Sequence, residues 1–239
     1  MTESALYRLS AALSTTYDVH RELGGGGMSR VFLATERTLG REVVIKTLPS
    51  DIMSPDAVER FKREIRTAAR LQHPNIVPLL SAGEADGVPY FTMPWVAGAS
   101  LRERLQRGPV LVNEAIAILR DMARALAAAH AKGIVHRDIK PENVLLSSGA
   151  ALITDFGVAR ALTEATNPTA SGGTFHTGTG ISVGTPAYMS PEQFAADPAA
   201  DHHADLYAWG CVAYEMLTGA GVVERCAWRS VEPLAPSNG

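Results

Sequence analysis

Apolar and polar positions divide the chain into a first part patterned like β-strands and a second part patterned like helices. Between Tyr17 and Met93 apolar residues mostly alternate with polar ones, which predicts strands. One helix interrupts them at residues 54–68, where Ser54 and Pro55 supply a capping residue and a first helical position. After Met93 the apolar residues recur at spacings of three and four, which predicts helices.

Breaks in these patterns give the boundaries of the predicted elements. Strands are predicted at residues 30–34, 41–46, 76–82 and 88–93, with a turn at 84–87. Helices are predicted at residues 100–107, from a cap at Asn113 onward, and at 205–219. The last of these is apolar on nearly all sides, so we expect it in a core. Leucines recur at helical spacing within residues 1–16, which we interpret as a partly ordered leader.

Composition excludes several classes of function. The chain has 239 residues, 46% hydrophobic and 20% charged, with a net charge of −3, which is typical of a globular protein. Because the chain has no excess of positive charge, its composition gives no indication of binding to nucleic acid or to an anionic membrane. Its two cysteines, Cys211 and Cys226, favour a reducing compartment over a disulfide framework, so we expect a cytoplasmic protein. No run of about 18 apolar residues predicts a membrane span, and no apolar signal core is found.

Two polar motifs follow the longest helical pattern. His-Arg-Asp-Ile-Lys-Pro-Glu-Asn occupies residues 136–143, and Asp-Phe-Gly occupies residues 155–157 after another apolar run. In the first motif, Asp138 can accept a proton from a hydroxyl and Lys140 can neutralise an anion. Oxygen atoms of Asn143 and Asp155 suit a hard cation such as Mg²⁺.

A glycine run near the N-terminus indicates contact with phosphate. Four consecutive glycines, residues 24–27, stand between two strand patterns, and glycine lets backbone amides approach a phosphate closely. Because a strand and not a helix follows, the run does not fit a dinucleotide-binding turn or a Walker P-loop. Taken alone, the run is weak evidence for phosphate binding, and a flexible hairpin explains it better.

Lys46 lies inside a predicted strand, where a lysine needs a buried partner or an anion. Alternation places Val44 and Lys46 on one face of this strand and Val43 and Ile45 on the other. Glu64 falls on or beside the apolar stripe of the 54–68 helix, where a carboxylate is costly unless paired. Alone, Glu64 would be read as a solvated charge; with the other motifs, we expect an ion pair with Lys46.

These motifs, in this order, resemble those of the protein kinases. Lys140, followed by Pro-Glu-Asn, resembles the sequence found at this place in the serine/threonine kinases, including those of bacteria. The resemblance implies an α+β, bilobal fold: a small antiparallel β-sheet lobe with one key helix at 17–93, a hinge at 94–98, and a mostly helical large lobe from 99 to 219. It ends at Gly219, which implies a large lobe without its last helices and an unmatched tail at 220–239. We therefore expect a truncated kinase domain.

The resemblance also assigns roles. Lys46, oriented by Glu64, would hold the ATP phosphates, Asn143 and Asp155 would hold Mg²⁺ or Mn²⁺, Asp138 would deprotonate the substrate hydroxyl, and Lys140 would stabilise the transferring phosphoryl group. The ATP pocket would be formed by Leu23, Gly24, Gly26, Val31, Val44, Lys46, Met93, Trp95, Val96 and Leu145. Three small departures are Ser29 for a glycine, Val44 for an alanine and Ser190 for an alanine.

Residues 155–192 are rich in hydroxyls and glycine, and by resemblance they are the activation segment. A phosphate on Thr174, Thr177 or Thr179 would pair with Arg137 and order this segment. Thr185 would bridge Asp138 and Lys140 by the same resemblance.

The resemblance implies a protein kinase that transfers the γ-phosphate of ATP to serine or threonine hydroxyls of proteins. The resemblance also implies that the kinase phosphorylates hydroxyls of its own chain, and that two copies associate for this reaction. The alternatives are a fragment that only binds nucleotide or a partner protein, and a fragment with no stable fold. A small-molecule kinase is disfavoured by the threonine-rich segment and the Gly-Thr-Pro-Ala-Tyr and Ser-Pro-Glu motifs that follow it.

Overall fold

A computed structural model describes residues 2–26, 29–48, 55–156, 186–195, 197 and 199–221. The first part of the chain forms a five-stranded antiparallel sheet with strand order β1-β2-β3-β5-β4. The strands are β1 (Tyr17–Gly26), β2 (Ser29–Glu36), β3 (Arg41–Thr47), β4 (Ser81–Ala85) and β5 (Val88–Pro94). Helix α2 (Pro55–Ala68) lies between β3 and β4 in the sequence.

The alternation along β3 separates two apolar clusters, as predicted. Val44 belongs to a cluster with Phe61 and Ile65 of α2. Val43 and Ile45 are fully buried in a second cluster on the opposite face. One strand therefore links the interior beneath α2 to a separate core behind the sheet.

The core behind the sheet is closed by the N-terminal helix α1 (Thr2–Leu13). Leu9 and Leu13 of this helix are buried and contact the cluster that contains Tyr17. The prediction of a partly ordered leader is wrong, because the leucines at helical spacing have a matching apolar surface on the sheet.

The predicted strand at residues 76–82 is also wrong. The regular strand begins only at Ser81, and Ile76 instead forms an isolated parallel bridge with Ile153. The amide of Val77 donates to Ile153 O at 2.9 Å, and the amide of Ile153 donates to Asn75 O at 2.9 Å. Residues 75–77 thus fasten the small sheet to the second part of the chain.

The second part is mostly helical, with helices α3 (Leu101–Leu105), α4 (Val112–His130), α5 (Pro191–Phe194) and α6 (His203–Thr218). A three-stranded antiparallel sheet is formed by β6 (Ala99–Ser100), β7 (Val144–Ser147) and β8 (Ala150–Ile153). The predicted cap at Asn113 is wrong, because α4 begins at Val112 and its N-cap residue, Leu111, has no side-chain oxygen to offer.

Helices α4 and α6 form the centre of the large lobe. Met122 and Leu126 of α4 and Val212 and Met216 of α6 are almost fully buried in one cluster. Helix α6 ends at Thr218 and is capped by Gly219, whose φ of +72° suits glycine. Its opposite face leaves three large side chains between 43% and 50% exposed, namely Leu206, Tyr207 and Leu217.

Candidate active site

The apolar residues predicted to surround adenine form one cluster between the two lobes. Val44 and Met93 are buried, and they lie opposite each other on β3 and β5. The other predicted members are partly buried and pack against the same cluster, namely Leu23, Val31, Trp95, Val96 and Leu145. Six of these residues come from the small lobe or the segment after β5, and one comes from β7.

Met93 is fixed from the large-lobe side. The hydroxyl of Thr154 donates to its sulfur atom, Sδ, at 3.3 Å, and both residues are buried. Thr154 directly precedes Asp155, so this contact links the wall of the apolar cluster to the start of the Asp-Phe-Gly motif.

The glycine run forms the end of the β1–β2 hairpin. Gly26 pairs with Ser29 across the turn, and Gly24 has a φ of +142°, which residues with a side chain rarely adopt. Below the turn, Arg30 donates to Glu22 with Nε at 2.9 Å and Nη2 at 2.6 Å. These bonds hold the pKa of the Glu22 carboxyl below its usual range.

The loop that contains Asp138 is held by Asp205. The Asp205 carboxylate accepts from the backbone amides of His136 at 2.9 Å and Arg137 at 2.7 Å. It also accepts from His130 Nε2 at 2.8 Å. Burial raises the pKa of Asp205, but the bond from His130, the nearby His136 and the two amide bonds lower it below its usual value on balance.

Asp138 lies inside a small hydrogen-bonded group. Lys140 Nζ is 2.8 Å from its carboxylate oxygen Oδ2. Asn143 donates its carboxamide nitrogen to the backbone oxygen of Asp138 at 2.7 Å and to Oδ2 at 3.1 Å. The amide of Thr154 in turn donates to Asn143 O at 3.0 Å. The structure therefore brings together three of the predicted catalytic and metal-binding residues in one loop.

Lys46 is paired with Asp155 and not with Glu64. Its Nζ donates to Asp155 Oδ2, and both side chains are mostly buried. Glu64 is half-buried on α2. No ion pair within the described residues joins Glu64 to Lys46, so the predicted pair is not formed in this conformation.

Asp155 is the residue that best fits a metal ligand. Its second oxygen, Oδ1, is buried and has no hydrogen-bond partner in the part of the chain that the structure describes. Such an atom is costly unless a partner or ion satisfies it. Asn143 uses its carboxamide nitrogen for Asp138, which leaves its oxygen for a hard cation.

Residues 186–195 lie against the same loop. Pro186–Tyr188 forms a 3₁₀ turn, and Ser190 caps α5 with a reciprocal bond to Gln193. The Gln193 carboxamide donates to Arg137 O at 2.9 Å. The predicted regulatory residues Thr174, Thr177, Thr179 and Thr185 lie outside the described residues.

Sequence reasoning missed Arg102, the second residue of α3. Its guanidinium donates to Glu142 Oε1 at 2.8 Å, to Glu215 Oε1 at 2.5 Å and to the hydroxyl of Tyr188. The sequence carries no signal for this role, because the partners of Arg102 lie 40 to 113 residues away along the chain.

The site therefore contains three parts: an apolar cluster, a mostly buried lysine–carboxylate pair, and a loop that carries a second carboxylate. The sequence model described as the protein kinase domain matches residues 17–229. The chain belongs to the protein kinase family. The match continues past Gly219, so the predicted end of the resemblance at that residue is too early.

Individual protein kinases agree with this assignment. A probable serine/threonine-protein kinase of Corynebacterium efficiens is 39% identical over 218 residues, which cover 88% of this chain and 32% of that protein. The serine/threonine-protein kinase PknB of Mycobacterium leprae is 41% identical over 214 residues, covering 87% of this chain and 33% of that one. This chain thus spans about a third of the length of these relatives.

Solved structures also share the fold. The crystal structure of the PknI kinase domain of Mycobacterium tuberculosis matches with a TM-score of 0.68 and 31% identity, covering 92% of this chain and 79% of that one. The α+β, bilobal kinase architecture predicted from the motifs is therefore confirmed. Among the helices that the structure describes, none combines the length and apolarity needed to cross a bilayer.

Proposed function

We propose that this chain carries the catalytic machinery of a serine/threonine protein kinase, which transfers the γ-phosphate of ATP to hydroxyls of proteins. The observation that supports this most directly is the buried Asp155 oxygen, which has no partner among the described residues and lies beside Lys46, two residues along β3 from Val44 of the apolar cluster. A carboxylate and an ammonium at this place suit a metal ion and the phosphates it accompanies.

The apolar cluster provides the binding surface for adenine. Val31, Val44 and Met93 line the small-lobe side, and Leu145 lies on the large-lobe side. Flat apolar rings gain from burial between such side chains, at about 25 cal/mol per Å². The cluster therefore orients ATP with its phosphates toward Lys46 and the glycine run.

The charged residues divide the remaining work. Asp138 is held for contact with a substrate hydroxyl by Asn143 and the Asp205-anchored backbone. Lys140, at 2.8 Å from Asp138, supplies a cation for the transferring phosphoryl group. Mg²⁺, when bound through Asp155 and Asn143, neutralises phosphate charge.

Nucleotide binding requires Lys46 and Asp155 to exchange partners. In the present conformation each neutralises the other. Lys46 would then bind phosphate oxygens, and Glu64 on α2 would orient its side chain. Lys46 would stay protonated, because two anions beside a lysine favour its charged form. We propose that the Lys46–Glu64 ion pair belongs to this nucleotide-bound conformation.

Several features of the proposed activity rest on the family. The substrates would be proteins with serine or threonine hydroxyls, and phosphorylation of Thr174, Thr177 or Thr179 by a second copy would pair with Arg137. A cytoplasmic location would supply ATP, and it agrees with the free, buried thiol of Cys211.

The experiment is phosphate transfer from labelled ATP and Mg²⁺ to the chain itself and to a basic protein. Asp155→Ala should abolish transfer, whereas Asp201→Asn, an exposed control in the same lobe, should retain it. Binding of a fluorescent ATP analogue is measured in parallel. ATP binding without transfer would favour a nucleotide-binding module, and transfer by Asp155→Ala at the wild-type rate would refute the proposal.

A further inference from the structure

Arg102 forms the centre of a partly buried cluster beside the catalytic loop. It lies on α3, just after the segment that joins the lobes, and uses three nitrogens for three different partners. Nε donates to Glu142 at 2.8 Å, Nη1 donates to Glu215 at 2.5 Å, and Nη2 donates to the hydroxyl of Tyr188. Tyr188 also donates that hydroxyl's hydrogen to the second oxygen of Glu215.

This arrangement differs from an ordinary surface ion pair. The side chain of Glu215 is only 10% exposed and that of Arg102 is 27% exposed, so water screens their attraction weakly. The guanidinium carbon also lies 6.0 Å from the centre of the Tyr188 ring, within range of a cation–π contact. Burial and the bond to Glu215 raise the pKa of Tyr188, so its hydroxyl stays protonated and available as a donor.

The four residues come from four separate elements. Arg102 belongs to α3, Glu142 to the 3₁₀ turn of the catalytic loop, Tyr188 to the Pro186–Tyr188 turn, and Glu215 to the buried face of α6. Because a guanidinium has donors in a fixed planar fork, its three bonds define the relative positions of these elements. A lysine could not hold three partners in one plane.

The 186–195 segment has one other described link to the catalytic loop, the bond from Gln193 to Arg137 O at 2.9 Å. That bond holds its α5 end, whereas Tyr188 holds the other end through Arg102 and Glu215. The segment follows the hydroxyl-rich residues and borders the loop with Asp138, so its position determines where a protein substrate can rest.

We propose that Arg102 is a positioning residue for protein substrates, which places the 186–195 segment relative to the catalytic loop. This inference rests on the proposed kinase function for its kinetic consequences but not for its structural ones. Arg102 acts through Tyr188 and Glu142, and none of its described hydrogen bonds goes to a residue of the apolar cluster proposed for adenine. Its loss should therefore affect the protein substrate and leave ATP binding nearly unchanged.

The first test compares Arg102→Met with Arg104→Met, a matched control on the same helix. Arg104 donates to Glu114 with Nε at 2.9 Å and Nη2 at 2.8 Å, so it too forms a two-bond carboxylate pair, but away from the 186–195 segment. Arg102→Met should lower kcat/KM for a protein substrate roughly 10- to 100-fold, as expected for one or two charge-assisted hydrogen bonds. The KM for ATP should change less than about twofold.

Milder variants separate positioning from a general loss of structure. Tyr188→Phe removes only the hydroxyl and should reproduce part of the loss, on the order of tenfold. Arg102→Lys keeps the charge but not the fork, so it should recover less than half of the loss on a logarithmic scale. Combining Arg102→Met with Tyr188→Phe should cost less than the sum of the two effects, because both remove the same contact.

The second test needs no catalytic activity. Hydrogen exchange is measured in the Asp155→Ala background without ATP, at the amides of Phe194 and Ala195, which donate to Ser190 O and Pro191 O at 2.9 Å. Arg102→Met should speed their exchange about tenfold or more, whereas Arg104→Met should not.

The outcomes distinguish this inference from the proposed function. A wild-type chain that fails to transfer phosphate would contradict the proposed function, and the exchange rates would still decide the role of Arg102. Equal exchange in the Arg102→Met and Arg104→Met chains would overturn the positioning role. So would an Arg102→Met loss that appears equally in the KM values for ATP and protein substrate.

Discussion

Replacing Asp205 with alanine should destabilise the domain more than almost any other single change near the active site. The carboxylate is 1% exposed and accepts three hydrogen bonds, from His130 Nε2 and from the amides of His136 and Arg137. Alanine leaves these donors without an acceptor. His136 is itself fully buried, so water cannot replace the lost oxygen at its amide.

The size of the effect follows from the number of stranded donors. A buried donor without a partner costs about 1–3 kcal/mol. One buried amide, one partly buried amide and one partly buried histidine nitrogen, each near the lower end of that range, therefore give roughly 3–5 kcal/mol. The free energy of unfolding of a native domain is about 5–15 kcal/mol, so this loss would be a large share of the total stability. Asp205→Asn keeps one acceptor oxygen and should lose about half as much.

Urea unfolding followed by circular dichroism measures this loss. With a slope of about 2–3 kcal/mol/M, the midpoint of Asp205→Ala should fall by about 1–2 M. The control is Asp201→Asn, because Asp201 is exposed and asparagine keeps the side-chain oxygen that accepts from the His203 amide at 2.9 Å. Its midpoint should barely move. A loss below about 1 kcal/mol in Asp205→Ala, or an equal loss in the control, would refute the reasoning.

Three further predictions concern other parts of the fold. Leu13→Ala should lower the free energy of unfolding by about 2–4 kcal/mol, because it opens a cavity beneath α1, whereas Tyr7→Ala, at an exposed position of the same helix, should change it little; thermal unfolding compares the two. Gly98→Ala should weaken binding of a fluorescent ATP analogue at least severalfold, because its Cβ would lie 2.1 Å from Leu146 O and displace the segment between the lobes; unchanged affinity would contradict this. The lowered pKa of Asp205 contributes stability above about pH 4, and this is lost as the pH falls through the folded-state value. Urea midpoints of wild type and Asp205→Asn should therefore converge below about pH 4, and a constant gap would count against the assignment.

Local patterns predicted the elements that bury one face against a single neighbour. The alternation along β3 placed Val44 and Val43 on opposite faces, and apolar spacings of three and four predicted the helix α4, whose Met122 and Leu126 are buried. These predictions hold because periodicity records which face is apolar, and each face has one partner surface.

Patterns failed where a residue's partner lies far along the chain. Residues 76–82 look like one strand, yet Ile76 forms an isolated bridge opposite Ile153 in the other lobe, through bonds made by Asn75 and Val77. Leu9 and Leu13 lie at helical spacing, but this spacing does not show whether the fold offers an apolar surface against which the helix can pack. Arg102 gave no signal, since a single arginine on a short helix is usually solvated.

The active-site residues were found by motif, but their pairing was not. The motifs predict Lys46, Glu64 and Asp155 in one site, which offers two candidate carboxylate partners for the lysine. Which one it meets depends on the position of α2 relative to β3. Sequence periodicity fixes the face of a helix but not its distance from a strand, so the Lys46–Asp155 pair had to be seen in the structure.

Two residues of the site, Arg137 and Asp155, have φ values of +68°, in the left-handed region. A residue with a side chain enters this region at about 1–2 kcal/mol, whereas glycine does so freely. Glycine would relieve this backbone strain at both positions. At position 155, however, it would also leave the mostly buried Lys46 without its carboxylate partner, and at position 137 it would remove a guanidinium that donates to Ala200 O. The backbone strain is thus retained at two residues whose side chains the proposed function uses.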